Sequence, residues 1–110
     1  LVLPLLLLKL RRYRKMKESQ SLTNNLLMEV YFLSNRLRNI KQSYKTTENK
    51  ALKERLFTEN KNIFKRVNEI HKMAELLNNN NEKINYSNLL FETTKRTLNE
   101  NKIERNLFFL

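Results

Sequence analysis

The 110-residue chain contains no cysteine, glycine, aspartate or tryptophan, and it has one proline and one histidine. Without cysteine there are no disulfides, thiolate metal ligands or thiol nucleophiles. Tight β-hairpin turns and phosphate-binding loops are both disfavoured, because glycine supplies the backbone angles that they require. Long helices joined by short loops remain open to such a chain. We therefore expect an all-α fold.

The residues that usually carry chemistry are also scarce. A metal site needs several ligands at suitable spacing, and an activated nucleophile needs a base within reach. The chain has no second histidine, no cysteine and no aspartate that could form a metal site or a nucleophile–base pair with His71. We therefore interpret His71 as a packing or surface residue. The prediction is a protein that is not an enzyme and binds no metal or cofactor.

Charge is the strongest positive signal. The chain carries 22 lysines and arginines against 11 acidic residues, all glutamate, for a net charge of +11. A surplus of this size indicates an anionic partner, with nucleic acid first and an anionic membrane second. The chain is rich in asparagine and lysine and poor in alanine, which is typical of AT-rich genes, organellar ones included. We expect a mitochondrial location, with another organelle or the cytoplasm as alternatives.

The N-terminal segment, residues 1–21, has an apolar part and a basic part. Residues 1–8 (LVLPLLLL) are apolar, whereas residues 9–17 (KLRRYRKMK) carry six positive charges and no negative one. The apolar run is too short to span a bilayer, and the charges follow it, whereas they precede it in a signal peptide. We predict an extension that docks on a partner. A membrane-surface anchor is the alternative.

Residues 22–77 carry two apolar stripes at helical spacing, which predict an antiparallel helical hairpin. Thr23 is the expected N-cap of the first helix, and Thr46 or Thr47 that of the second. A polar break at Glu59 and Asn60 indicates a buried contact, a bend or a thinner core. The first stripe contains Leu26, Val30, Leu33, Leu37, Ile40 and Tyr44, and the second Leu52, Leu56, Ile63, Val67, Ile70, Ala74 and Leu77.

Residues 78–110 are predicted to form an asparagine-rich linker, a third helix and an apolar tail. The run of four asparagines from Asn78 disfavours helix, so the second helix should end there. Ser87 is the expected N-cap of the third helix. The bulky residues 107–110 (LFFL) are expected to dock on a partner or on the core. The weaker apolar face of the third helix contains Leu89, Leu90, Phe91, Leu98 and Ile103. The whole is a three- or four-helix arrangement with extended termini.

The basic residues form one N-terminal cluster and a second group around the turn of the hairpin. Lysine and arginine bind nucleic acid by neutralising phosphates and releasing counterions. A hairpin with a basic end is suited to clamping RNA by shape rather than by base sequence. The predicted RNA-binding residues are Arg11, Arg12, Arg14, Lys15, Lys17, Arg36, Arg38, Lys41, Lys45, Lys50, Lys53, Arg55, Lys61, Lys65 and Arg66.

Part of the hairpin resembles a known family. Residues 33–37 (LSNRL), Ile40 and Tyr44-Lys45 are similar to the helix of bacterial-type small-subunit ribosomal protein fifteen, which has Leu-Thr-x-Arg-Ile, a later apolar residue, and an aromatic residue or leucine before lysine. Residues 23–25 (TNN) stand where that family has Thr-Gly-Ser, and residues 61–67 (KNIFKRV) are similar to its Arg-x-Leu-Leu-x-Tyr-Leu stretch. The resemblance covers residues 23–77.

The turn departs from that family. Residues 46–55 (TTENKALKER) lack its His, Asp, Ser and Gly, so only Arg55 and, loosely, Lys50 and Lys53 match its RNA-contacting positions. The spacing to the second motif is also about four residues shorter. The resemblance implies a four-helix protein that binds a small-subunit rRNA junction in an organellar ribosome.

These observations together predict a non-catalytic structural subunit of a ribonucleoprotein. The expected assembly is the mitochondrial ribosome, with rRNA and neighbouring proteins as partners. The alternative is a small helical accessory subunit of a mitochondrial membrane complex of the respiratory chain. In that case residues 1–8 and 107–110 would contact the bilayer or its membrane subunits.

Overall fold

The computed structural model describes residues 3–79 and 86–103, with side chains described for residues 21–79 and 86–103. Three helices account for nearly all of this: α1 (Leu3–Thr46), α2 (Lys50–Asn78) and α3 (Ser87–Glu100). The described residues contain no strand. The predicted all-α class is confirmed, with three helices in the described part of the chain.

Two ion pairs define how α1 and α2 lie against each other. Arg36 of α1 binds Glu59 of α2, and Glu29 of α1 binds Arg66 of α2. The numbering falls along one helix as it rises along the other, so the predicted hairpin is antiparallel. Each pair lies seven residues from the other along both helices. The same register places Asn78, the last residue of α2, opposite residue 17 of α1.

The N-terminal part of α1 therefore continues past the end of α2. We call residues 3–17 the α1 arm. At 1.5 Å per residue the arm is about 22 Å long. The described structure measures 74 × 19 × 16 Å, and α1, at about 66 Å, accounts for most of the long dimension. No described residue of α2 or α3 lies opposite residues 3–16.

The predicted stripes form most of the core. Four of the six α1 stripe residues are buried, and Leu33 and Tyr44 are half-buried. In the second stripe Val67, Ile70 and Ala74 are buried and the last residue, Leu77, is half-buried. Its first residue, Leu52, is 38% exposed, contrary to the prediction. The principal cluster contains Leu26, Leu27, Val30, Ile70, Ala74 and Leu90. Since Leu90 belongs to α3, all three helices share this core.

The buried face of α3 differs from the predicted one. Leu90 is buried, but Leu89 is 43% exposed. The predicted Phe91, Leu98 and Ile103 are half-buried, and Phe91 packs against the core. The other buried residues of α3 are small and polar: Ser87, Thr93, Thr94 and Thr97. Two of their hydroxyls donate to backbone carbonyls four residues earlier, Thr94 to Leu90 at 3.0 Å and Thr97 to Thr93 at 2.8 Å. Local hydrogen bonds of this kind let small polar side chains occupy a buried helix face.

The helix α1 begins far earlier than its apolar stripe. It runs without a break from Leu3 to Thr46, so the division expected at residues 21 and 22 does not coincide with a helix boundary. Thr23 is fully buried within the helix. Its predicted role as an N-cap is therefore wrong. The stripe marks where α1 has neighbours, not where it starts.

The turn between α1 and α2 is capped by a residue other than the predicted threonines. Asn49 is the N-cap of α2, and its side-chain oxygen accepts a hydrogen bond from the backbone N–H of Leu52 at 3.2 Å. Thr47 supports this turn by accepting from the N–H of Asn49 at 3.2 Å. The hydroxyl of Thr46 donates back to Gln42 of α1 at 3.1 Å. Both threonines therefore stabilise the turn without capping α2.

The end of α2 was predicted correctly. The helix ends at Asn78, and the backbone N–H of the C-cap residue Asn79 donates to Glu75 at 3.1 Å. The start of α3 lies one residue before the prediction: Tyr86 is the N-cap and Ser87 the first helical residue. Tyr86 has a φ of 68°, in the left-handed region that glycine usually occupies. A chain without glycine places tyrosine there instead.

Residues 107–110, predicted to dock, lie outside the described residues, and residues 1–8 are described only in part and without side chains. None of the described helices combines enough length with enough apolar character to cross a bilayer.

Candidate nucleic-acid interface

Two of the predicted RNA-binding arginines are held by carboxylates inside the fold. Arg66 donates from Nε to Glu29 Oε1 at 2.7 Å and from Nη2 to Oε2 at 3.0 Å. Its Nη1 also lies 3.5 Å from Glu69. Arg36 donates from Nε to Glu59 at 2.8 Å. A phosphate that binds the Nε and Nη2 edge of either arginine has to displace a carboxylate.

The electrostatics of the Arg66 pair follow from this geometry. The hydrogen bond from Arg66 lowers the pKa of Glu29 below its ordinary value of 4.5, against an opposing effect of burial. The same hydrogen bonds, which Glu29 accepts, raise the pKa of Arg66. Both side chains remain more than one-third exposed, so solvent screening limits what the pair contributes to stability.

Three more of the predicted cations have partners within the protein. The ammonium of Lys41 donates to the backbone carbonyl of Glu100 at 2.8 Å. A positive charge is stabilising at this position, because it lies at the C-terminal end of the α3 dipole. The ammonium of Lys53 lies 5.2 Å from the ring centre of Tyr44, a cation–π contact. Arg38 donates to the side-chain oxygen of Asn35. Lys41 and Lys53 therefore tie helices together.

The remaining predicted cations of the hairpin point to solvent. Lys45 and Lys50 flank the turn, and Arg55 follows one turn further along α2; all three are exposed. They form a basic end of the hairpin, as expected, although Lys41 and Lys53 beside them make contacts within the fold. Glu54 and Glu48 are exposed nearby and reduce the local positive charge.

A row of lysines follows the solvent face of α2. Lys61, Lys65 and Lys72 are exposed and lie four and seven residues apart, a spacing that returns to one helical face. We call them the α2 lysine line. Asn68 is exposed between them. Among the described residues, none of the three lysines makes an ion pair. The nearby Glu69 pairs with Arg66 at 3.5 Å instead.

An open groove runs beside the α2 lysine line, between α2 and α3. Its volume is about 550 Å³. Phe64 and Leu98, both half-buried, provide its apolar surface, and Lys61 and Lys65 lie at its edge. An aromatic ring and two exposed lysines therefore line the same groove.

Four exposed cations were absent from the predicted set. Lys72 completes the α2 lysine line, and grouping cations by helical face instead of by neighbours along the chain would have included it. Lys95, Arg96 and Lys102 are exposed on or just after α3. The sequence pattern of α3 indicates its apolar residues first, and these three cations form no run along the chain.

The N-terminal cluster lies on the α1 arm. Arg11, Arg12, Arg14, Lys15 and Lys17 all fall within the helix. Their side chains lie outside the described part, so only the position of the cluster along α1 is given. By the register of the hairpin, the two predicted basic groups are at opposite ends of the molecule.

His71 has a packing environment. Its Nδ1 lies 2.7 Å from the hydroxyl of Thr94, and its ring stacks on Phe91 with the centres 4.5 Å apart and the planes at 25°. These contacts join α2 to α3 and agree with the interpretation of His71 as a packing residue. Within the described ranges, no group of three histidine or carboxylate side chains is arranged to hold a metal ion.

Comparison of the chain with protein-family models, with curated proteins and with solved structures found no match. The resemblance of residues 23–77 to small-subunit ribosomal protein fifteen stays a prediction from the residues themselves.

Proposed function

We propose that this protein is a non-catalytic structural subunit of a ribonucleoprotein and that it binds RNA phosphates through the α2 lysine line. The observation that carries the proposal is the alignment of Lys61, Lys65 and Lys72 on one solvent-exposed helical face. Lysine is a mobile point charge on a flexible stem and reaches phosphates without demanding one geometry. Such binding tracks a backbone and does not read bases.

The groove beside the line supports the choice of RNA over a simpler polyanion. Unpaired RNA bases stack on aromatic side chains while their phosphates bind lysine or arginine. Phe64 lies in the groove, and Lys61 and Lys65 lie at its edge. A strand whose phosphates follow the line therefore has apolar surface for a base next to it.

The exposed cations at the turn, Lys45, Lys50 and Arg55, extend the positive surface along the same hairpin. In this proposal Arg36 and Arg66 have a structural role, because each is bound to a glutamate of the neighbouring helix. The proposed assembly is a ribosomal particle, and the proposed compartment is the mitochondrion. Composition, charge and the resemblance in the hairpin support both.

Charge reversal tests the α2 lysine line. We expect the variant Lys61→Glu, Lys65→Glu, Lys72→Glu to bind a short single-stranded RNA at least about tenfold more weakly, because three phosphate contacts are lost. The slope of log affinity against log salt should also flatten by about two units, at roughly 0.7 per contact. Fluorescence anisotropy at several salt concentrations measures both quantities.

The matched control is Lys95→Glu, Arg96→Glu, Lys102→Glu, which makes the same change in net charge elsewhere on the surface. This control should weaken RNA binding far less and should keep most of the slope of log affinity against log salt. Equal losses in the two variants would mean that only net charge matters and would reject a defined site. Circular dichroism of both variants checks that the helices remain. Sedimentation of the native protein away from ribosomal particles would reject the proposed assembly.

A further inference from the structure

The α1 arm is a surface that RNA binding through α2 does not use. It is helical and continuous with the core, yet no described residue of α2 or α3 lies opposite residues 3–16. It reaches about 22 Å beyond the end of α2. By the register of the hairpin, the backbone of the arm therefore has no neighbouring helix among the described residues.

Residue types on the arm are separated along the helix axis. Residues 3–8 (LPLLLL) are apolar, and residues 9–17 (KLRRYRKMK) carry six positive charges with no acidic residue. At 100° per residue those six cations are spread around the whole helix. The arm therefore has an apolar section followed by a cationic band, and it lacks the one-sided stripe that packing against a single partner helix requires.

We infer that the α1 arm inserts end-on into an anionic membrane surface. A bilayer is the partner whose layers match this order, since an apolar interior lies directly beneath a sheet of lipid phosphates and carboxylates. Residues 3–8 enter the hydrocarbon, and the cationic band remains among the headgroups. RNA fits the band but offers no apolar layer for the leucines.

The dimensions of the arm agree with this placement. Six residues of helix rise about 9 Å, within the depth that interfacial helices reach. The band rises about 13 Å, which covers the headgroup region and the layer of attracted counterions beyond it. Pro4 stands in the first turn of α1, where its missing N–H leaves one fewer backbone donor without a partner. The inference is independent of the proposed RNA site, because the two use different residues.

Vesicle co-sedimentation of the full chain tests the inference. The probes are vesicles of phosphatidylcholine alone and vesicles with about 30% phosphatidylserine, a composition that gives a negative surface potential. We expect binding to the anionic vesicles to exceed binding to the neutral ones by at least about tenfold. The difference should shrink as salt is raised, because the attraction is screened.

Two arm variants separate the apolar and cationic contributions. Arg11→Gln, Arg12→Gln, Arg14→Gln should lose most of the preference for anionic lipid, and Leu6→Asn, Leu7→Asn should lose most of the binding to either vesicle. The control Lys95→Gln, Arg96→Gln, Lys102→Gln removes the same charge from the α3 end and should bind nearly as the native protein does.

Three outcomes would overturn the inference. The first is equal binding to neutral and anionic vesicles, and the second is equal loss in the control and the arginine variant. The third is an arm variant that abolishes RNA binding while vesicle binding is unchanged, which would assign the arm to RNA. Because the arm lies outside the core, both arm variants should keep the native unfolding midpoint, so a loss of binding with the fold intact supports the inference. Failure here leaves the α2 lysine line untouched.

Discussion

Arg66 and Glu29 are joined by two hydrogen bonds, and they lie seven residues from the second ion pair, Arg36 with Glu59, along both helices. The apolar stripes repeat every three or four residues, so a slip of seven residues would leave most apolar contacts in place. The charged residues disfavour this slip. A slip in one direction brings Arg36 opposite Arg66, and a slip in the other brings Glu29 opposite Glu59.

The first prediction is that these four charges select the register. The charge-swapped variant Glu29→Arg, Arg66→Glu keeps both ion pairs between α1 and α2, yet a slip of seven residues in either direction now creates an attractive pair. Like-charge and opposite-charge neighbours differ by a few tenths of a kcal/mol each, so slipped forms should gain on the order of 1 kcal/mol relative to the native form.

Disulfide cross-linking measures this register. The chain has no cysteine of its own, and the register places Leu22 opposite Met73, both partly exposed at 48% and 39%. Cysteines at these two positions should cross-link almost completely in the native background and less in the swapped variant. Swapping the second pair as well, with Arg36→Glu and Glu59→Arg, restores repulsion in both slipped forms and should restore the cross-link. No recovery in that variant would argue against selection by charge.

The second prediction concerns acid. Arg66 lowers the pKa of Glu29, so the unfolded chain binds this proton more readily than the folded one does. The stabilisation is therefore present above a pH of about 4.5 and is lost as the pH falls through the lowered folded value. Glu29→Gln should make the stability less dependent on pH in this range. The difference should stay below about 1 kcal/mol, because the pair is partly exposed.

Urea unfolding between about pH 5 and pH 3 checks this dependence. Glu75→Gln, which removes an exposed glutamate of α2, is the matched control. Its stability curve should keep the native dependence on pH. If Glu29→Gln behaves in the same way as the control, the hydrogen bonds to Arg66 do not contribute to acid stability.

The third prediction concerns the buried amide of Asn60, which is 5% exposed and donates to the backbone carbonyl of Asn101 at 3.2 Å. Asn60→Ala should lower the free energy of unfolding by about 1–3 kcal/mol, because the carbonyl is left buried without this donor. Asn62→Ala, two residues further along and exposed, should change it by less than about 0.5 kcal/mol. Similar values for the two variants in urea unfolding would show that the Asn60 contact contributes little.

The fourth prediction separates two neighbouring threonines of α3. The hydroxyl of Thr93 is buried and has no hydrogen-bond partner among the described residues, whereas that of Thr94 bonds to backbone carbonyls and to His71. Thr93→Val should raise the free energy of unfolding by up to about 1 kcal/mol, because it removes an unpaired polar atom at nearly constant shape. Thr94→Val should lower it by about 1 kcal/mol. Thermal unfolding of both variants checks the difference in sign.

The polar break at Glu59 and Asn60 illustrates what a linear pattern leaves open. Such a break most often marks only a thinner core, and a buried contact or a bend are the alternatives. The structure selects the contact, because Asn101 follows α3 and reaches α2 at this level. That partner is 41 residues away along the chain, and no local pattern relates the two positions.

The sequence by itself determined the helical class, most of both apolar stripes, the end of α2 at Asn78 and the cationic surface. These follow from the period of the helix, the lack of glycine and the preferences of asparagine, all of which act within a few residues. Only the tertiary structure decided that α1 continues through Thr23, that Asn49 caps α2 and that threonines line α3. It also decided which cations are available: Arg36 and Arg66 are bound to glutamates, whereas Lys61, Lys65 and Lys72 face solvent. Those outcomes depend on which residue lies opposite which, and the register between helices results from packing and charge across the interface.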